Sequence, residues 1–271
     1  MTENLLIEPE ELVKQVGKSD WVIVDCRADL MNHELGRQQY LENHIPGAQF
    51  ADLELDMSAT AGIRGRHPLP VRMNFWGFVR SIGISNDTNV VAYDDGKSAY
   101  ATRFWWLLRW IGHEHTRVLN GGFDHWTQKN LPATPTIIEP EKGKFTLRKS
   151  LTKEIAMQDI DGEKQMLIDA RTQERFDGLV EPIDHKAGHI PGGSCFPFVD
   201  NLNADGTFNR ENHRFNEIKN EDDVVCYCGS GVTATHNIFA MMLAGFEEPK
   251  LYPGSWSEWI EYPENPVATA D

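Results

Sequence analysis

Cysteine is scarce in this chain: four residues in 271, at Cys26, Cys195, Cys226 and Cys228. Their spacings do not form the framework that staples small secreted modules, and a chain this long can build its cores without one. Cys226 and Cys228 stand too close for a zinc knuckle and have no second ligand pair, so no metal is expected. Positive charge is also in short supply, with 26 Lys and Arg against 41 Asp and Glu and a formal net charge of −15. That balance opposes nonspecific binding to nucleic acid or anionic lipid, so neither is an expected partner. No apolar run approaches the roughly 20 residues of a membrane span. The opening Met-Thr-Glu-Asn-Leu-Leu-Ile-Glu lacks the basic and apolar regions of a signal peptide, and the expectation is a reducing cytoplasm.

What the chain does have is concentrated in Cys228-Gly229-Ser230-Gly231-Val232-Thr233-Ala234. The stretch follows an apolar run, Val224 to Tyr227, that reads as a short buried strand. It precedes a helical pattern over Thr235 to Ala244 that stops at Gly245. A cysteine between a strand end and a helix start sits where unpaired backbone N–H groups converge with the positive end of the helix dipole. Such a place favours an anion, and the thiolate is the nucleophilic form of cysteine. The glycines let consecutive amides curl into a nest around it.

The chain also repeats itself. Val24-Asp25-Cys26-Arg27 recurs as Ile168-Asp169-Ala170-Arg171, and His44-Ile45-Pro46-Gly47 recurs as His189-Ile190-Pro191-Gly192. Val90 to Asp94 matches Val224 to Cys228, and Gly121 to Trp126 matches Gly254 to Trp259. The offsets run 144, 145, 134 and 133, so the first copy carries about ten extra residues between its second and third landmarks. Prolines 132, 135 and 140 interrupt any periodicity between the copies. The boundary is expected near residue 140, giving domains 1–140 and 141–271.

In each copy short β-branched runs alternate with helical patterns. Trp21–Asp25, Asn89–Tyr93, Arg117–Leu119, Met166–Asp169, Asp223–Tyr227 and Lys250–Tyr252 read as strands, and Val71–Ile82 and Ser98–Ile111 as helices. This alternation predicts α/β domains, each with a mainly parallel sheet flanked by helices and ligands at the strand C-termini. One landmark differs in kind: Asp94 stands in the first copy where Cys228 stands in the second. An aspartate cannot attack a soft electrophile, so the first domain is expected to be catalytically silent.

Together the two Asp-X-Arg strands, the two His-Ile-Pro-Gly turns, the silent copy and the cysteine loop resemble the two-domain rhodanese-like sulfurtransferases over essentially the whole chain. The loop Cys-Gly-Ser-Gly-Val-Thr-Ala is most similar to the 3-mercaptopyruvate branch of that family. Thiosulfate-preferring members more often carry Arg-Lys after the cysteine, where Gly229 and Ser230 stand here. The resemblance implies tandem rhodanese-like domains and sulfur transfer from 3-mercaptopyruvate through a Cys228 persulfide. A thiol, a thioredoxin-like protein or cyanide would take the sulfur, with no cofactor. Gly229, Ser230, Gly231, Val232 and Thr233 would cradle the reacting sulfur, and Arg175 matches the arginine that binds the carboxylate of the small anionic donor. The family's usual second arginine, after a Glu-Pro step, is replaced by Ile183; Arg64 and Arg66 are the candidates to compensate. The branch also has an acid–histidine–serine relay contributed across the domain interface, for which the matching positions are Glu54, His67 and Ser230. The alternatives are a thiosulfate sulfurtransferase and a noncatalytic rhodanese-like binding protein.

Other motifs read as architecture. Cys26, Cys195 and Cys226 are expected in the core. His44 and His189 are expected to cap turns, Arg27 and Arg171 to pair with acids, and Trp105, Trp106 and Trp110 to pack inside. A cysteine phosphatase needs an arginine six residues after its nucleophile, and that position is Ala234. The internal repeat makes a monomer the expected state.

Overall fold

The computed structural model describes residues 5–210, 213–216, 218–219 and 223–270. Two compact units emerge: Met1–Ala59 with Leu69–Leu151 and Asn203–Phe208, and Thr60–Pro68 with Thr152–Leu202 and Asn209–Asp271.

The first unit contains β1 (Leu6–Ile7), α1 (Pro9–Leu12), β2 (Trp21–Asp25), α2 (Leu35–Glu42), β3 (Gln49–Phe50), α3 (Arg72–Ser81), β4 (Asn89–Tyr93), α4 (Ala99–Trp110), β5 (Thr116–Leu119) and α5 (Gly122–Gln128). Its strands form one parallel sheet in the order β1-β5-β4-β2-β3. The second unit contains β6 (Met166–Asp169), α6 (Gln173–Phe176), β7 (Gly193–Cys195), β8 (Val224–Tyr227), α7 (Ala234–Leu243), β9 (Lys250–Leu251) and α8 (Ser255–Trp259). Its parallel sheet runs β7-β6-β8-β9, and Glu154 bridges to Leu251 where β1 would stand. The central strands are apolar and buried, as expected of a sheet covered on both faces.

The register carries the repeated landmarks into space. Asp25 lies opposite Tyr93 and Asp169 opposite Tyr227. Arg27 holds Asp25 with Nη2 at 2.6 Å, and Arg171 holds Asp169 at the same distance. Each guanidinium also donates to a carbonyl of the chain entering its His-Ile-Pro-Gly turn, Asn43 at 2.7 Å and Gly188 at 2.8 Å. Burial alone would weaken the charge on both arginines, but the paired aspartates outweigh it and raise their pKa. His44 and His189 each bond a backbone carbonyl through Nδ1 at 2.7 Å, that of Tyr40 or Phe176. These repeated groups build the frame of the turn.

α4 and α7 both end as their glycines dictate. Gly112 and Gly245 take positive φ, and the amides after them, on His113 and Phe246, donate back to Leu108 and Met241. Trp105 and Trp106 are fully buried, and truncating either would cost about 3–5 kcal/mol. Trp110 departs from expectation: it is half-buried at the end of α4, stacked on Trp106 and faced by Arg72.

The proline-rich junction does not end the first unit at residue 140. Gly143 and Arg80 exchange backbone and guanidinium bonds, Trp76 donates to the Phe145 carbonyl, and the amides of Arg148 and Leu151 bond the end of α4. The segment through Leu151 therefore stays with the first unit. The stretch between the second and third landmarks of the first copy contains both α3 and Thr60–Pro68, which belongs to the second unit.

Candidate active site

Parallel sheets bind ligands beyond the carboxyl ends of their strands, and Cys228 follows β8 directly. Its backbone is pinned by α8. The Trp256 amide donates to the Cys228 carbonyl at 3.0 Å and the Ser257 amide to the Gly229 carbonyl at 2.8 Å. Ser255 Oγ accepts from the Cys228 amide at 3.1 Å and donates to the Tyr252 carbonyl at 2.9 Å. Ser255 does this from a left-handed conformation, φ 53°, that a non-glycine residue rarely adopts. The first unit has Gly122 at that place. Loop sequence alone does not point to Ser255; the repeat does, as a serine where its twin has glycine.

The loop then turns through Gly231 at φ +77°, where a Cβ would run into the Pro253 carbonyl. The turn lets the Gly231 amide donate to Cys228 Sγ at 3.1 Å. Val232 is buried behind the loop, and Thr233 leads into α7, whose first residue is the buried Ala234. Ser230 Oγ shares a 2.7 Å hydrogen bond with His67 Nδ1, and both side chains are buried. The expected serine–histidine contact is thus present. His67 lies in the stretch Thr60–Pro68, which packs with the second unit. Glu54 lies in the first unit and its carboxylate pairs with His33 at 3.3 Å.

Beside Gly229 stand two arginines. A Cβ there would lie 2.8 Å from Arg66 Nη2 and 3.4 Å from Arg175 Nη2. Arg175 donates from Nε and Nη2 to Glu181 and from Nη2 to Asp184 at 3.1 Å. Arg66 grips the two oxygens of Asp184 with Nε and Nη2 at 2.9 and 3.1 Å. Glu181 Oε2 also reaches Arg171 at 3.4 Å. Burial pushes the Glu181 carboxyl up, but the Arg175 bonds and the Asp184 and Ile183 amides outweigh it and lower its pKa. Ile183 therefore serves through its amide. Of the two arginines of the Gly62–Arg66 turn, Arg64 is exposed and Arg66 is the one at the loop.

The first unit shows the same loop around a different group. The Phe123 and Asp124 amides bond the Asp94 and Asp95 carbonyls at 2.8 and 2.7 Å, as those of α8 do in the second unit. Asp94 fills its nest with its own carboxylate, accepting from the amides of Gly96, Ser98, Tyr100 and Ala101 at 2.8–3.2 Å. Burial, then the charge of Asp95, push its pKa up to about 7 against those amides.

The environments of the remaining cysteines favour the thiol over the thiolate. Cys26 and Cys226 are fully buried with raised pKa, chiefly through desolvation. Cys195 is half-buried, and burial followed by the charge of Asp169 pushes its pKa up to about 12. Among the described residues no group of three or more His, Cys, Asp or Glu is placed to hold a metal ion, and no helix is long and apolar enough to cross a membrane.

The profile of the rhodanese-like domain matches residues 8–129 and 152–262. Over its full length the chain is 43% identical to a probable 3-mercaptopyruvate sulfurtransferase of Pseudomonas aeruginosa, 100% of which is covered. It is 38% identical over 239 residues to the thiosulfate sulfurtransferase of Mus musculus, covering 83% of this chain and 80% of that one. Among solved structures it is similar to an Escherichia coli 3-mercaptopyruvate sulfotransferase (TM-score 0.83, 27% identity, 94% of this chain and 100% of that one). It is also similar to the 3-mercaptopyruvate sulfurtransferase from Leishmania major (TM-score 0.82, 28% identity, 94% and 74% covered).

Proposed function

Because this chain belongs to the rhodanese-like family and is a two-domain sulfurtransferase, we propose that it takes sulfur from 3-mercaptopyruvate onto Cys228 and passes it to a second nucleophile. The observation that carries this reading is the Cys228 sulfur bonded by the Gly231 amide, in a loop flanked at Gly229 by two guanidiniums. An anionic sulfur needs the amide, and an anionic donor needs a cation beside the thiol.

The Cys228 thiolate attacks the donor sulfur. An S–S bond forms, the donor C–S bond breaks, and its electron pair leaves on the pyruvate enolate, which takes a proton to give pyruvate. Arg175 holds the donor carboxylate, and the His67–Ser230 pair, joined by its 2.7 Å hydrogen bond, moves the proton or polarises the donor carbonyl. The persulfide then lies under the loop amides until a thiol, a thioredoxin-like protein or cyanide attacks its outer sulfur and restores Cys228. The first domain carries no chemistry, since Asp94 fills the nest that Cys228 would occupy.

A thiosulfate donor is the second reading, favoured by the relatives that bear that name. Gly229 and Ser230 oppose it, because they leave the loop without the basic pair that suits a dianion. The test is kcat/KM for both donors with one acceptor, together with mass spectrometry of Cys228 after donor alone. Mercaptopyruvate should lead, leave one extra sulfur on Cys228 and release pyruvate, and Cys228→Ser should abolish all three. Faster thiosulfate turnover would select the second reading, and turnover by Cys228→Ser would refute both.

A further inference from the structure

We infer that Arg66 is the second donor-binding residue of this site, doing from a distant segment what the chain has no arginine to do at Ile183. The inference rests on the sulfurtransferase reading and names the group that selects a carboxylate-bearing donor.

Arg66 is held in place from its backbone outward. Gly62 and Gly65 exchange amide bonds at 3.1 and 2.9 Å, closing a tight turn just before it. Gly65, at φ +96°, packs where any side chain would meet the Gly254 carbonyl and Ser257 Oγ. The Arg66 amide then donates to Ser257 Oγ at 3.1 Å, and Ser257 donates its own amide to the Gly229 carbonyl. One short helix, α8, therefore positions both the cysteine loop and the arginine beside it.

The fork geometry leaves a ligand edge open. On Arg66, Nε and Nη2 are spent on Asp184; on Arg175, Nε and Nη2 are spent on Glu181 and Asp184. Nη1 of each has no hydrogen-bond partner among the described residues. The carboxylates are the buried partners, Asp184 and Glu181 each 4% exposed, while the side chain of Arg66 is 26% exposed. Such an arrangement fixes two guanidiniums by their inner edges and presents their outer edges.

Charge bookkeeping sharpens the donor class. Arg66, Arg175 and Arg171 are matched by Asp184, Glu181 and Asp169, so the cluster carries no net charge. It recognises an anion by directed N–H groups rather than by a surplus of positive field. With no surplus of positive charge, the cluster suits a single carboxylate better than a dianion, whose second charge would go unmatched.

Alkylation of Cys228 separates this inference from the identity of the donor. Iodoacetate carries a carboxylate and iodoacetamide an amide, and each forms the same S–C bond with loss of iodide. Labelling rates at Cys228, read by mass spectrometry of its peptide, give an iodoacetate-to-iodoacetamide ratio. Arg66→Ala should lower that ratio by about 10-fold, the loss of one charge-assisted contact, with Arg66→Lys in between and the exposed Arg64→Ala unchanged. KM for 3-mercaptopyruvate should rise by about 10-fold in Arg66→Ala while kcat stays within about 3-fold, as for a lost binding contact. Asp184 keeps Arg175 as a partner in these variants, so the fold should survive, and thermal melting checks it. A folded Arg66→Ala with an unchanged ratio and KM overturns the assignment. A lowered ratio in a protein that ignores mercaptopyruvate would keep Arg66 as an anion anchor and refute the donor.

Discussion

Adding one methyl group at Gly231 or at Gly229 should have opposite consequences, two residues apart. Gly231 sits at φ +77°, and a Cβ there would enter the Pro253 carbonyl oxygen and lie 2.9 Å from its carbon. Backbone on both sides leaves nothing flexible to yield. The left-handed conformation costs an alanine about 1–2 kcal/mol, and the overpacking adds about 1–3. The expected loss is therefore about 2–5 kcal/mol, or roughly 10 °C in melting temperature for a unit of this size. The loop must move to relieve it, and the 3.1 Å bond from the Gly231 amide to Cys228 Sγ should go with it. At Gly229 the methyl would meet only the ends of Arg66 and Arg175, at 2.8 and 3.4 Å. Gly229→Ala should melt within about 2 °C of the parent, a shift under 1 kcal/mol, yet raise donor KM by about 10-fold. Differential scanning calorimetry and donor kinetics on both variants are the assay. A Gly231→Ala protein as stable and active as the parent, or equal destabilisation by the two, would refute the loop geometry.

Two further outcomes follow from the first unit. Asp94→Ala strips the acceptor from the amides of Ser98, Tyr100 and Ala101, while that of Gly96 keeps Asp95 at 2.8 Å, so it should lower stability by several kcal/mol at about 1–3 per orphaned group; surviving folded enzyme should keep kcat within a few-fold. A kcat loss comparable to that of Cys228→Ser would show that the first domain takes part in chemistry. His113 is fully buried, and desolvation, then His115, push its pKa down to about 4 from the ordinary 6.5. The unfolded chain therefore gains a proton near pH 6.5 that the folded chain refuses until about pH 4, and stability falls by about 3 kcal/mol as pH drops through that window. Urea melts of His113→Gln should show a flatter acid limb than the parent, and an identical limb would refute the assignment.

The elements that the sequence shows most clearly are those whose pattern is local and long. Trp21–Asp25, Asn89–Tyr93 and Met166–Asp169 stand where their apolar runs place them, and α4 and α7 stop at Gly112 and Gly245. The edge strands β1, β3 and β7 span two or three residues, too few to show a period, and exist because a neighbouring strand pairs with them. The chain break at the prolines near residue 140 is visible in composition. The packing of the next ten residues onto α3 and α4 depends on side chains far away in sequence, such as Trp76.

At the site, sequence by itself determined which cysteine ends a strand in a glycine loop and how that loop contrasts with Asp94, because strand, turn and helix are contiguous and the repeat supplies its own control. It also brought Arg175 forward, through the motif that surrounds it. Only the tertiary structure decided which cation joins Arg175. Arg64 and Arg66 are alike in the sequence, and what separates them is a turn that leaves one exposed and sets the other against Gly229, 163 residues later. The same holds for Asp184, whose value lies in joining two guanidiniums, and for Ser255, whose strained backbone holds the Cys228 amide. Local periodicity carries the elements, but a charge cluster that joins Arg66 to residues more than a hundred positions away is a property of the packing alone.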